Sequence, residues 1–237
     1  MFTTIVIQPL YNALIAIVSY LPGHQLWMAV IVLTVAFKII LIPLFKKQVK
    51  DQVVMGFLSP KLKEIQDKYK DNKETLAKET MALYGKYKVN PFVSILLLLV
   101  QLPFLIGLYN IFYYDLSKYK DLLYTGISSP DVINHVFLGV NLTEKNILFA
   151  LVAAVSQYFL GVFMFKKKTK EEEKNESEIV RAMNVQMKYF LPLIIGFVST
   201  ITPSVIALYL ITTNIFGIIQ EIIIKGPLEK KIKKDFT

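Results

Sequence analysis

From 189 to 224 the chain runs on almost unbroken apolar residues for nearly twice the length of one membrane crossing, and no other feature restricts its fold as strongly. A helix rising about 1.5 Å per residue needs about 20 residues to cross a hydrocarbon core of about 30 Å. The run must therefore cross twice. It turns near 200–204, where Thr, Pro and Ser cluster and Pro203 can open the returning helix, giving spans 189–202 and 203–224. Three further stretches, 26–45, 92–113 and 147–165, are each long enough to cross. With 54% hydrophobic residues, a mean hydropathy of +0.48 and charge gathered in blocks, the expected class is an all-α integral membrane protein of five spans, one domain over 1–237.

Five spans put the termini on opposite sides, and the basic residues say which side is which. Of 27 Lys and Arg, 23 fall in 46–90, in 166–188 or after residue 224. Loops that retain Lys and Arg are cytoplasmic, which places the N-terminus outside and the C-terminus inside. Only Lys118, Lys120 and Lys145 lie on the other side, and Lys38 sits within a span. The net charge of +9 is first a topology signal, and second an attraction to anionic lipid or ribosomal RNA. No Lys or Arg precedes Lys38, so the start lacks the charged region of a signal peptide. Either it crosses unaided or the chain is a fragment relieved of its leader, the reading preferred here. The absence of Cys excludes disulfides and thiol catalysis.

Residues 2–22 form a helix with Leu10, Leu14, Ile17 and Leu21 on one stripe and Gln8, Asn12 and Ser19 on another. Such a helix prefers the membrane interface, although its length would also allow a sixth span. In 46–90, Met55, Leu58, Leu62 and Ile65 repeat at helical spacing, as do Leu76, Thr80, Leu83 and Tyr87 after a break at Asp71 and Asn72. This predicts an antiparallel helical hairpin, with Pro60 at a helix start or kink and the regular part of the first arm short. Between 114 and 146 a turn cluster holds Gly126, Ser128, Ser129, Pro130 and Asp131. His24 and His135 have no converging ligands in sequence, so neither a metal nor an acid–base site is expected. The run KKKTKEEEKNESE in the second cytoplasmic loop is too polar to form a packed segment.

Lys38 carries the most information about function. It lies 12 positions after Leu26 and eight before Lys46, hence near mid-membrane in a span 26–45. An ammonium at such depth costs about 2.5–3.5 kcal/mol, and intramembrane charges as a rule face water or a polar partner. Snorkelling to the cytoplasmic surface would oppose the lean of helical side chains toward their own N-terminus. Thr34 is one turn earlier on the same face. Other spans offer Ser94 and Gln101, Ser156 and Gln157, and Tyr209, Thr213 and Gln220, with Thr212 and Asn214 beside them. Together these predict a hydrated groove.

The segments PLYNALIAI, FKIILIPLFKKQ, ETMALYGKYKVNP, VQLPFLIGLYNIF, FLGVNLTEKN and PSVIALYLITTNIFGIIQEII follow one another in the order and spacing that resembles the YidC family of bacterial membrane protein insertases, over almost the whole chain. The resemblance implies a cytoplasmic-membrane insertase and chaperone that handles nascent membrane proteins through a positively charged groove open to cytoplasm and lipid. By position, the family's groove cation, usually Arg, matches Lys38, and its groove threonine matches Thr34. The hairpin matches the family's cytoplasmic hairpin. Lys in place of Arg keeps the charge and loses the bidentate fork. Leu210 stands where the family often has an aromatic residue, and Val205 replaces a common small residue.

Neither a P-loop nor a metal, cofactor or nucleophile motif is apparent, so enzymatic activity and cofactors are not expected. The expected groove set is Lys38, Thr34, Gln101, Ser156, Gln157, Tyr209, Thr213 and Asn214. Lys61 and Lys63 on the hairpin and Lys230, Lys231, Lys233 and Lys234 on the tail 225–237 are candidates for docking a ribosome, a targeting factor or the general secretion channel, alongside membrane lipids. Specific DNA binding is not expected. The last two spans, about 17 residues each, sit at the lower limit for crossing and could thin the bilayer. A small secondary transporter using Lys38 as its coupling site is the main alternative, but the inverted repeat it calls for is not evident. A scaffold that holds other membrane helices together is a second.

Overall fold

The computed structural model describes residues 1–114, 116–164 and 178–236; the polar run 166–177 and the side chain of Ser94 lie outside them. A π turn, Thr3–Ile7, leads into α1, Gln8–Tyr20. It is followed by α2 (Leu26–Ile40), α3 (Ile42–Lys68), α4 (Lys73–Lys86), α5 (Val93–Tyr113) and α6 (Ile147–Met164). Next, α7 (Glu178–Val185) passes through a π turn into α8 (Leu191–Ile201), and α9 spans Ser204–Phe236. Apart from helices, the described residues hold one two-stranded antiparallel ribbon, β1 (Val136–Phe137) and β2 (Val140–Asn141). The chain is an all-α membrane protein.

Among the described residues three helices are long and apolar enough to cross a membrane: Thr3–Tyr20, Ile147–Met164 and Ser204–Lys234. A fourth crossing results if Leu26–Ile40 and Ile42–Lys68, bent by 62°, count as one span. Leu99–Tyr113 and Gln186–Ile201 are shorter apolar helices beside them. The long apolar run does break where Thr and Pro cluster, with α8 ending at Ile201, Thr202 extended and α9 opening at Ser204.

The bend corrects the expected straight span 26–45. Pro43 sits in the first turn of α3 and has no N–H to bond back to Ile39 O, four residues earlier. The helix therefore breaks at Leu41, and Lys38 stands in the last turn of α2 instead of midway along a longer helix. Pro60 behaves differently from expectation: α3 continues through it as one helix of 27 residues.

Two clusters make the core. The larger packs Tyr11, Leu14, Ile15 and Val18 of α1 against Leu26 and Val30 of α2, Leu108 and Ile111 of α5, Ala153 of α6, and Ile206 and Tyr209 of α9. The second joins the hairpin to the end of α9: Val49, Val53, Met55, Leu58 and Leu62 of α3, Tyr84 of α4, and Ile232. The tail is thus the last three turns of α9, docked by its apolar edge. On α4 the expected stripe is only half-buried, and Tyr84, outside it, is the side chain that enters the core.

The polar stripe of α1 faces protein. Gln8 Nε2 and Asn12 Nδ2 donate to Leu122 O at 3.1 and 2.8 Å, Asn12 Oδ1 accepts from Tyr124 N at 2.7 Å, and Ser19 Oγ donates to Ser128 O at 2.9 Å. The 116–146 segment is held at two more points. Leu26 N donates to Asn134 O, and the first free N–H groups of α9, Ser204 and Val205, donate to Glu144 O and Leu142 O at 2.8 and 2.9 Å.

Candidate functional site

Lys38, in the last turn of α2, meets partners on α5 and α9. Its residue is 8% exposed, and Nζ donates to Gln101 Oε1 of α5 at 3.2 Å. Gln101 Nε2 in turn donates to the Tyr209 hydroxyl of α9 at 3.0 Å. One amide therefore bonds on both sides, linking α2, α5 and α9. Next to this chain an aromatic wall stacks Phe37 on Phe104 at 4.2 Å and Phe104 on Tyr209 at 5.4 Å between ring centroids. Helical spacing builds the arrangement: Phe104 follows Gln101 by three residues, so each lies above the other on one face of α5.

Because α2 ends at Ile40, Lys38 occupies its last turn. Gln101 is a neutral acceptor, so it solvates the ammonium without cancelling its charge.

Other expected groove residues group differently. Thr34 is fully buried, and its hydroxyl donates to Val30 O of its own helix at 2.6 Å. Ser156 of α6 and Asn214 of α9 meet each other, Asn214 Nδ2 donating to Ser156 Oγ at 2.9 Å. Ser156 Oγ is itself bonded to Ala153 O at 2.8 Å. Gln157 is buried on α6, and Thr213 is buried one turn after Tyr209 on α9. The set thus divides into a Lys38–Gln101–Tyr209 chain and a Ser156–Asn214 tie. Leu210 and Val205, the departures from the family pattern, are both in the core.

The docking candidates share one end of the molecule. Lys61 Nζ donates to the Tyr87 hydroxyl at 2.8 Å across the hairpin, and the hydrogen bond holds the Tyr87 phenol below its usual range. Lys63 is half-buried; Lys230, Lys231, Lys233 and Lys234 are exposed around the docked Ile232. Among the described residues no group of three or more His, Cys, Asp or Glu converges as a metal ligand set.

A second set of buried polar residues, Gln48, Asp51, Gln220 and Glu221, adds three to what the sequence offered: Gln220 was on the expected polar stripe, whereas Gln48, Asp51 and Glu221 were not singled out. Asp51 Oδ2 accepts from Asn90 N at 3.3 Å, joining the two ends of the hairpin. Burial raises the Asp51 carboxyl, opposed by that N–H and by Lys47 and Lys50. The available signal for Glu221 was Lys225 four residues later, one turn on and opposite in charge.

The family described as 60Kd inner membrane protein matches residues 17–231. A membrane protein insertase YidC of Listeria innocua is 32% identical over 92% of this chain and 70% of its own length. One from Clostridium tetani is 30% identical over 89% of this chain and 86% of its own, and the insertase MisCA of Bacillus subtilis is 29% identical over 95% and 80%. The match spans both sets of buried polar residues, the hairpin and the bent α2–α3 pair, and the chain belongs to this family, that of the YidC membrane protein insertases.

Proposed function

We propose that this protein inserts nascent membrane proteins into the bacterial cytoplasmic membrane and helps them fold there. The observation that carries the reading is the buried Lys38 ammonium, held by the neutral amide of Gln101 where three apolar helices meet. A cation kept this way is ready to exchange one acceptor for a better one. An acidic residue of an arriving client offers the ammonium an opposite charge, where Gln101 offers only a neutral acceptor. Gln101 then acts as the placeholder, and Tyr209 receives its freed amide. Burial of the client's apolar helix in lipid, at about 25 cal/mol per Å², supplies the driving force.

The groove in this reading comprises Lys38, Thr34, Gln101, Ser156, Gln157, Tyr209, Thr213 and Asn214. It is hydrated, open to cytoplasm and lipid, and closed outside by the pinned 116–146 segment. Five crossings, with 2–22 at the outer interface, put the N-terminus outside and the C-terminus in the cytoplasm, as the asymmetry of Lys and Arg supports. Lys61, Lys63, Lys230, Lys231, Lys233 and Lys234 then face the cytoplasm together, a surface suited to a ribosome, a targeting factor, the secretion channel or anionic lipid. No step in this scheme makes or breaks a covalent bond.

Reconstituted insertion into proteoliposomes tests the charge. Lys38→Glu should abolish insertion of a client with an acidic translocated tail, while Lys38→Arg should retain it. Equal insertion by wild type and Lys38→Glu would overturn the reading.

A further inference from the structure

The β1–β2 ribbon turns on a residue that such turns avoid. Phe137 pairs with Val140, so Leu138 and Gly139 form a two-residue loop, and both have positive φ, 51° and 77°. This is the setting of a type I′ turn, which favours Asn, Asp or Gly. In the left-handed conformation a Cβ crowds the neighbouring carbonyl, and only a short polar side chain offsets this with a local hydrogen bond. Leu138 has no such bond to make, and its side chain finds little cover within the chain, the residue being 82% exposed. In water it would combine a strained backbone with bare apolar surface.

The ribbon's surroundings belong to the membrane. Phe137 stacks on Trp27 of α2 at 4.7 Å and meets Phe149 of α6 edge-on at 6.1 Å between ring centroids, which fixes the ribbon to the first turns of both helices. Trp collects at the level of the lipid headgroups. On α6, a helix long and apolar enough to cross, Ile147, Leu148 and Leu151 are exposed beside Phe149, the surface such a helix turns to lipid. Alternation along β1 turns Val136 outward when Phe137 faces in, and Val136 is exposed. Residues 132–143 contain no Lys, Arg, Asp or Glu to hold the tip in water.

We propose that the ribbon tip, Leu138 with Val136, enters the acyl chains of the adjoining leaflet and anchors the 116–146 segment to the bilayer. Full burial of a leucine in hydrocarbon outweighs the strain of one left-handed residue, so Leu at this turn is favourable only where lipid covers it. The ribbon thereby extends the apolar surface of α6 sideways at the end of the molecule opposite the hairpin. The inference requires that the chain lie in a membrane; it depends neither on the insertase reading nor on which way the chain faces.

Nitroxide labels on the full chain in lipid nanodiscs, where both faces admit reagent, separate lipid from other occupants. The chain has no Cys, so each label reports from one site. With Leu138→Cys, and separately with Val136→Cys, which leaves Leu138 in place, the label should collide more with oxygen than with a water-soluble nickel chelate. At Asp131→Cys, an exposed loop position, the order should be reversed. Leu138→Asn keeps a residue that the turn favours and removes the apolar tip. Added to Val136→Cys, it should shift that label from the oxygen-rich to the nickel-rich side. Nickel collisions at 136 and 138 equal to those at 131 would overturn the proposal by placing the tip in water. Few collisions with either reagent would overturn it by showing a protein surface, such as a second copy of the chain, over the tip. Unchanged collisions at 136 in the presence of Leu138→Asn would overturn Leu138 as the anchor.

Discussion

Gln101 uses both ends of its amide, toward the Lys38 ammonium and toward the Tyr209 hydroxyl. Changing it to Glu keeps the size and replaces a neutral acceptor with an anion. The buried ammonium then has a permanent counter-charge, so stability should equal or exceed wild type. Insertion of an acidic client should nevertheless fall, by tenfold or more if the client must displace a charge-assisted bond worth about 1.5–3 kcal/mol. Thermal melting in detergent and reconstituted insertion, measured on the same preparation, separate these effects; full insertion by Gln101→Glu would contradict the placeholder role. Asp51 gives a prediction in pH. Burial sets its folded value above the unfolded one, so the folded state takes up the proton first, and stability contributed by that uptake is lost as pH rises through the folded value. Asp51→Asn retains an acceptor for Asn90 N–H and should abolish this decline. Melting of the two proteins from acid to neutral pH should therefore diverge, with wild type losing more as the pH rises.

At the scale of elements, what was legible depended on whether the signal was local. The break within 189–224 needed only the length of the run and Pro203, and it falls between Ile201 and Ser204. The bend at Leu41 had an equally local cause in Pro43, but uninterrupted apolar residues on either side concealed it. The consequence concerns local setting: Lys38 was placed by counting residues along an unbroken helix, whereas it stands in the last turn of α2. The fate of 225–237 was not local at all. Its Lys residues suggested a separate basic tail, and only packing on the hairpin shows the function of Ile232, 6% exposed among them. Ile232→Asp should undock this end, since it replaces an apolar contact worth about 1.5–3 kcal/mol with a charge. Limited trypsin digestion would detect it as faster cleavage at Lys230, Lys231, Lys233 and Lys234, with the hairpin otherwise intact. Unaltered cleavage would mean that the tail is held by something other than this contact.

For the molecule as a whole, the two ends are built on different principles. The end carrying most Lys and Arg is held by helices packed on helices, together with Glu221, Lys225 and Gln52. The opposite end is held by hydrogen bonds of the 116–146 backbone to side chains of α1 and to the backbone of α2 and α9, and it carries a ribbon whose turn places Leu138 and Gly139 at φ of 51° and 77°. Sequence placed a turn at Gly126 to Asp131 and missed this one, because Leu is an unusual choice for positive φ and the turn depends on the pairing around it. If the outer end is the seal of an insertase, loosening it should expose that end without disturbing the Lys38 chain. Asn12 is the residue to change: it bonds both Leu122 O and Tyr124 N, and Leu in its place leaves Tyr124 N without its partner and Leu122 O with Gln8 Nε2 alone. The chain has no Cys, so a single cysteine at position 122 reports cleanly. In right-side-out vesicles Asn12→Leu should raise its reaction with an impermeant maleimide about tenfold, as expected for losing hydrogen bonds worth about 1–1.5 kcal/mol in all. Labelling only after the vesicles are inverted would reverse the proposed orientation, and labelling from outside at an unchanged rate would show that α1 is not what holds the seal.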